Sequence, residues 1–358
     1  MVILHERRHL SEAGFFRTLF RALKKEGGRV HVDEDRPFPQ ASDSRGRHEG
    51  AWITYQGVRV FVDMSDHVFQ FDPVALREAD LYLKANLHRG IAERVIVENG
   101  WADPGKKLQP YTFLAPGLPR CHQIRRLLDL TGMRKRFRRS GTVCHIVGVY
   151  ENLARDKDSR PLPGEELEPR RMHYWIRHEF AAVLSTRAAA GSTVRLVSRG
   201  NHEIEDGQWV FPNLSFGSFL LRILRSDALV LNTFPHAVFP WKALEAIALG
   251  VPVVAEREPL VEVPSDYRLR TEIEMDEVLP SFGDFAGDRK LSDPASYRVL
   301  RWPSADAFEK GWSEVFKNLL DPLKREDRYA AVRQFSRDRL TDRAIFESFE
   351  RTVSAGAA

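Results

Sequence analysis

LNTFPHAVFPWKALEAIALGVPVVA, residues Leu231 to Ala255, has a fixed order of parts. The apolar run DALVL, Asp227 to Leu231, reads as the strand that feeds it. A loop broken by Pro235 and Pro240 follows, then a short helical run, WKALEAIALG, stopped by Gly250. VPVVA, Val251 to Ala255, is a second apolar strand. Strand, loop, helix and strand in this order pack as a right-handed crossover in a parallel sheet. The loop and the helix start then lie at the carboxyl ends of the strands, where open α/β sheets bind ligands. The helix start offers N–H groups without intrahelical acceptors and the positive end of a dipole, which suits a phosphate. Lys242 stands in the first turn and Glu245 three residues on, sharing its face. This pairing suits a nucleotide diphosphate, with Lys242 on phosphate oxygens and Glu245 on ribose hydroxyls.

The spacing P-x-K-x-x-E-A-x-A-x-G-x-P-V-V is carried by Pro240, Lys242, Glu245, Ala246, Ala248, Gly250, Pro252, Val253 and Val254. It resembles the donor-binding signature of the C-terminal domain in GT-B fold glycosyltransferases, as in their families 1 and 4. The resemblance implies an α/β chain of two Rossmann-like domains facing across a cleft. It further implies transfer of a sugar from a nucleotide-sugar donor, such as a UDP sugar, to an acceptor hydroxyl. Many retaining members carry a second glutamate eight positions before the first, where this chain has Ala237, beside His236. The retaining assignment is therefore not carried over. His236 and Pro240, in the loop, join Lys242 and Glu245 as donor-side candidates.

Composition agrees with a soluble, two-domain expectation. The chain has 358 residues, more than one core usually serves. No apolar run reaches the roughly 18 residues of a membrane span. The opening MVILHERRHLSEAG reads as a short strand followed by charge and not as a signal peptide. Two cysteines, Cys121 and Cys144, are too few for a disulfide framework and show no metal-ligand spacing. A cytoplasmic protein with no metal and no resident cofactor is the expectation. Net charge is +4, and it is uneven. Arg134, Lys135, Arg136, Arg138 and Arg139 form the densest basic run, which suits a helix end or an acidic partner: anionic lipid headgroups, phosphorylated glycan or DNA.

Taken in order, Val2 to His5, a helix over Ser11 to Lys25 and a strand at Arg29 to Val32 make a β–α–β opening. Ala51 to Tyr55 and Val58 to Val62 flank Gln56-Gly57 as a hairpin. The second hairpin strand ends in Asp63-Met64-Ser65-Asp66-His67. Carboxylates and an imidazole just past a strand end suit acid–base chemistry, so Asp63, Asp66 and His67 are the candidate bases. The same residues also suit an Asx-type turn. A helix from Pro73, a strand at Leu81 to Lys84, short apolar pieces at Val95 to Val97 and Tyr111 to Leu114, and a helix from Gln123 to Phe137 follow.

Ser140-Gly141 marks the expected boundary, giving residues 1–139 as an acceptor-side domain and 140–325 as a donor-binding domain. The remaining 326–358 form a closing helix that in similar folds crosses back to the first domain. Val143 to Val149 is the expected first strand of the second half. Arg155 and Lys157 in the long loop after it, Arg199 just past the strand Val194 to Val197, and Glu256 and Glu258 past Ala255 are further donor-side candidates. Arg199 stands out among them, because a guanidinium fork matches a diphosphate. The cluster after the hairpin and the absence of the upstream glutamate lean toward inverting, metal-independent transfer. Three other readings stay open: a DNA-modifying glycosyltransferase using the basic run, a nucleotide-sugar epimerase, and a non-catalytic sugar-nucleotide-binding protein.

Overall fold

The computed structural model describes residues 2–5, 14–27, 30–33, 50–64, 71–85, 87, 89–101, 105–111, 115, 117–133, 141–149, 181, 184–186, 188–198, 210–211, 214–231, 241–255 and 322–356. They form an α/β protein built on two sheets.

The first sheet has six strands: β1 (Val2–His5), β2 (Val30–Asp33), β3 (Gly50–Tyr55), β4 (Val58–Asp63), β5 (Leu81–Ala85) and β6 (Leu108–Tyr111). Their spatial order is β2-β1-β3-β4-β5-β6. β1 and β2 run parallel, as do β4, β5 and β6, but β3 is antiparallel to both of its neighbours. The two-residue turn Gln56-Gly57 forces this, because a connection so short joins only antiparallel strands. Both turn residues have positive φ, 52° and 88°, which is why the second is glycine. The opening β–α–β unit is thus followed by the hairpin expected at Gln56-Gly57, and its first strand makes the sheet mixed.

Helix α1 (Gly14–Glu26) buries Phe16, Leu19, Ala22 and Leu23, one face at helical spacing. α2 (Pro73–Glu78) starts where Asp72 accepts N–H bonds from Val74 and Ala75. α3 (Arg89–Glu98) contains the apolar piece Val95 to Val97, which is helical, with only Ile96 of the three buried. α4 (Leu118–Thr131) begins five residues earlier than the pattern suggested, with Pro119 in its first turn, where the missing N–H costs nothing. Gly132, at φ 63°, ends it.

The second sheet is wholly parallel: β7 (Val143–Val149), β8 (Thr193–Ser198), β9 (Val210–Phe211), β10 (Ala228–Leu231) and β11 (Val253–Ala255), in the order β11-β10-β7-β8-β9. The chain winds outward through β7, β8 and β9, then returns to lay β10 against the other side of β7. This is a doubly wound sheet whose order reverses between β7 and β10. Helix α5 (Phe216–Leu224), capped by the Ser215 hydroxyl, precedes β10, and α6 (Trp241–Leu249) joins β10 to β11. α6 is buried along its length: Ala243, Leu244, Ala246, Ile247, Ala248 and Leu249 are all at or below 1% exposure. Burying such a helix on every side takes contacts beyond one sheet, and α4 and α7 (Pro322–Arg339) supply them.

The closing segment is two helices, not one. α7 and α8 (Asp342–Gly356) break at Leu340-Thr341, where the Thr341 hydroxyl accepts from the Ala344 N–H as a cap. α7 meets the second sheet, with the Tyr329 hydroxyl 2.9 Å from Asp227 Oδ1. α8 lies on α1, burying Ile345, Phe349 and Val353, and Arg21 of α1 pairs with Asp342. Tyr55 of β3 donates to Glu350. Among the described residues no helix is long and apolar enough to cross a membrane.

Candidate functional site

The reversal between β7 and β10 is where the second sheet opens. Their pairing covers Ala228 with Val143 and Leu229 with Cys144. Beyond it, side chains take over: His145 Nδ1 lies 2.9 Å from the Val230 carbonyl, and Lys242 Nζ donates to the Ile146 carbonyl at 3.1 Å. α6 follows β10 after residues 232–240, and from its first turn Lys242 reaches the middle of β7. The Lys242 ammonium also lies 5.6 Å from the Phe219 ring centroid of α5, a cation–π distance. A cation is therefore fixed, half-buried, at the topological switch point, beside the first-turn amides of α6.

Glu245 turns elsewhere. Its residue exposure is 0%, and Oε1 accepts the Gly117 N–H at 3.1 Å, at the start of α4. Oε2 has no hydrogen-bond partner among the described residues. Burial pushes its carboxyl from the ordinary 4.5 up to about 8, against the opposing pulls of the Gly117 N–H and the Lys242 charge. Lys242 and Glu245 thus sit one turn apart in a dry helix and reach different neighbours, one the sheet and one α4. Gly117 is a glycine because a Cβ there would collide with Glu245 Oε1 and the Phe216 ring. Gly117→Ala is expected to cost about 1–3 kcal/mol through overpacking of this seam. Urea unfolding measures it, and an unchanged midpoint would mean that the seam yields freely.

The raised carboxyl also predicts a pH dependence. The folded chain keeps a proton on Glu245 that the unfolded chain loses between 4.5 and about 8, so this group's stabilising contribution is full below 4.5 and is lost as pH rises through 8. Glu245→Gln cannot ionise. Its stability relative to the parent chain is expected to climb with pH across that window by a few kcal/mol and to level off above it. A difference that stays flat from acid to alkali would contradict the burial assignment. Both cysteines line this region as protonated thiols: burial drives Cys144 up to about 12, and burial followed by the Glu245 charge raises Cys121 further.

On the first sheet, Asp63 is the last residue of β4 and is 3% exposed. Its Oδ2 accepts from the Tyr82 hydroxyl at 2.6 Å and from Lys84 Nζ at 3.2 Å, both on β5. The Tyr82 hydroxyl in turn accepts the Asp72 N–H at 3.1 Å, and Lys84 Nζ lies 5.2 Å from the Phe71 ring centroid. Burial and then the Asp63 charge hold the Tyr82 phenol well above its usual value. This buried network ties the end of β4 to the start of α2. It brackets residues 65–70, whose described neighbours Met64 and Phe71 are both buried.

Five of the main sequence-derived candidates, Asp66, His67, Arg199, His236 and Pro240, lie outside the described residues, as do Arg155, Lys157, Glu256 and Glu258. Of the described ones, Lys242 and Glu245 share α6, while Asp63 stands on the other sheet. His145 and Gly117 were not singled out from sequence. The signal for His145 is a lone imidazole inside the apolar run VCHIVGV, and for Gly117 a glycine between Pro116 and Pro119, next to a helix start.

No protein-family model matches the sequence, and no curated protein matches it significantly. Among solved structures, the chain is similar to Anabaena HepE, solved in complex with UDP-glucose, with 13% identity and a TM-score of 0.38 over 81% of this chain and 71% of that one. It is also similar to the wall teichoic acid polymerase TagF, with 10% identity and a TM-score of 0.23 over 78% of this chain and 60% of that one. A second TagF variant gives 10% identity and a TM-score of 0.25, over 78% and 61%.

Proposed function

We propose that the chain is a glycosyltransferase of the GT-B kind, with the nucleotide-sugar donor held at the switch point of the second sheet. The observation that carries this reading is the Lys242 ammonium fixed at 3.1 Å from the Ile146 carbonyl, in the first turn of the helix that follows the sheet reversal. A diphosphate there would meet a fixed cation and first-turn amides, both stronger toward charge that develops as the sugar departs. His236 and Pro240 follow β10 in the sequence and Arg199 follows β8, and in this reading they line the donor. Glu245, expected from the sequence on the ribose, is buried against Gly117 and in this reading seats α6 on α4.

The acceptor hydroxyl enters from the first sheet. The buried Asp63–Lys84–Tyr82 network anchors the loop that follows β4, and Asp66 or His67 in that loop serves as base, with Asp63 as the alternative. A base on the face opposite the leaving diphosphate gives inversion, and Lys242 with the α6 dipole does the work that a divalent ion does elsewhere. Closure of the two halves would exclude water and limit donor hydrolysis. The domain limits 1–139, 140–325 and 326–358 go with this reading.

A thermal-shift panel of UDP, GDP, ADP, TDP and CMP sugars tests it, with UDP-glucose, the ligand of HepE, first. One donor class is expected to stabilise the chain and to lose that effect in Lys242→Ala. No stabilisation by any donor would end the proposal. Turnover of donor without acceptor would point instead to an epimerase, and binding without transfer to any acceptor would point to a non-catalytic module. Proton NMR of the product anomer decides the stereochemistry, and retention would remove the base assignment.

A further inference from the structure

β7 and β10 pair over a short stretch. Their parallel register joins Ala228 to Val143 and Leu229 to Cys144, and the next positions in that register are Val230 with His145 and Leu231 with Ile146. There the ladder between them stops, although both strands continue. β10 stays paired with β11 through Leu231, and β7 with β8 through Val149. The two strands therefore part at His145, while their other neighbours stay in register.

His145 is fully buried at that point. A carbonyl only accepts, so His145 Nδ1 carries a proton and donates to the Val230 carbonyl at 2.9 Å. A side-chain bond thus stands where the ladder bond would have been. One residue further along β7, the Ile146 carbonyl takes Lys242 Nζ at 3.1 Å. Lys242 belongs to α6, the helix that joins β10 to β11. The lysine is tied to both strands: to β10 through its own helix, and to β7 through the Ile146 carbonyl. The separation of β7 from β10 then decides where the ammonium sits. Val143, Cys144, Ile146 and Val147 around His145 are buried and apolar, as a parallel strand covered on both faces favours. An imidazole among them carries a desolvation cost, which its bond to Val230 offsets. What it adds over an apolar side chain is a donor at a fixed reach between the strands.

We propose that His145 is a positioning residue for Lys242: it spaces β7 from β10 at the switch point and so sets where the ammonium stands. That this ammonium then meets a donor diphosphate rests on the functional reading above. His145 acts through the strands and touches neither donor nor reacting atoms. With an apolar side chain at 145, the buried Val230 carbonyl loses this donor, the strands shift to satisfy it, and the Ile146 carbonyl moves relative to Lys242.

The test uses the full chain with His145→Val and with His145→Asn, whose amide nitrogen takes the place of Nδ1. The first readout needs no ligand. It is the rate of reductive methylation of Lys242, followed by mass spectrometry, with Lys84, fully buried against Asp63 on the first sheet, as the internal reference. His145→Val is expected to speed methylation of Lys242 about tenfold and leave Lys84 unchanged, the effect of losing roughly one buried hydrogen bond. His145→Asn is expected to stay within about threefold of the parent. The second readout is UDP-glucose binding, whose dissociation constant is expected to rise about tenfold in His145→Val and to recover in His145→Asn. Equal methylation of Lys242 in all three chains would overturn the proposal. So would Lys84 and Lys242 accelerating together, which would reduce His145 to a contributor to general stability. If Lys242 follows the expected pattern while UDP-glucose binds none of the chains, His145 positions Lys242 and it is the donor reading that loses support. If the parent binds UDP-glucose, Lys242→Ala does not, and His145→Val binds like the parent, the donor reading stands and this proposal falls.

Discussion

Lys242→Ala is expected to lower sugar transfer by about 100- to 1,000-fold, the usual loss when one donor to developing transition-state charge is removed. The same change leaves the Ile146 carbonyl without the ammonium and opens space over Phe219, so it also costs about 1–3 kcal/mol of stability. The two effects separate by substitution. Lys242→Met fills much of the space over Phe219 but carries no charge, so it should recover part of the stability and none of the activity. Lys242→Arg keeps the charge in a different geometry and should retain donor binding better than either. Steady-state kinetics beside urea unfolding reads both effects. If Lys242→Met were as active as the parent, the lysine would be a packing residue and the donor site would lie elsewhere.

Asp63→Ala is expected to destabilise the chain by about 3–5 kcal/mol, because it removes the carboxylate facing an ammonium that is itself fully buried. The Tyr82 hydroxyl loses its acceptor in the same step. Asp63→Asn retains an oxygen for both donors and should cost less. Adding Lys84→Met to Asp63→Ala should recover much of the loss, since no buried charge then remains to be matched. Denaturant midpoints measure the series. The comparison also sorts the two roles open to Asp63. As an anchor, it loses stability and activity together and the double variant recovers both. As the transfer base, the double variant would regain stability and stay inactive, while Asp66 and His67 variants would stay active.

The sequence carried the second sheet further than the first. Apolar runs bounded by Pro and Gly placed β10 and α6 within a residue and β11 within two, because a buried parallel sheet writes itself as continuous Val, Leu and Ala. Pairing partners are not written locally. Nothing in the run Gly50 to Tyr55 says that β3 inserts antiparallel between β1 and β4; the two-residue turn supplies half of that fact and the fold the rest. The same limit explains the split of the closing helix. Charge and helix propensity continue through Leu340-Thr341, and the break comes where α7 leaves the second sheet and α8 turns onto α1. At the site, spacing put Lys242 and Glu245 on one face. It could not tell that one would reach a β7 carbonyl and the other the first amide of α4, because both partners lie more than ninety residues away in the chain.

The central claim, a nucleotide-sugar diphosphate at the start of α6, is tested most directly by hydrogen exchange with the best-stabilising donor of the panel bound. Slower amide exchange is expected across the loop 232–240 and the first turn of α6, Trp241 to Leu244, with little change in β1 and β2. Protection confined to the first sheet, or an α6 that exchanges alike with and without donor, would contradict it.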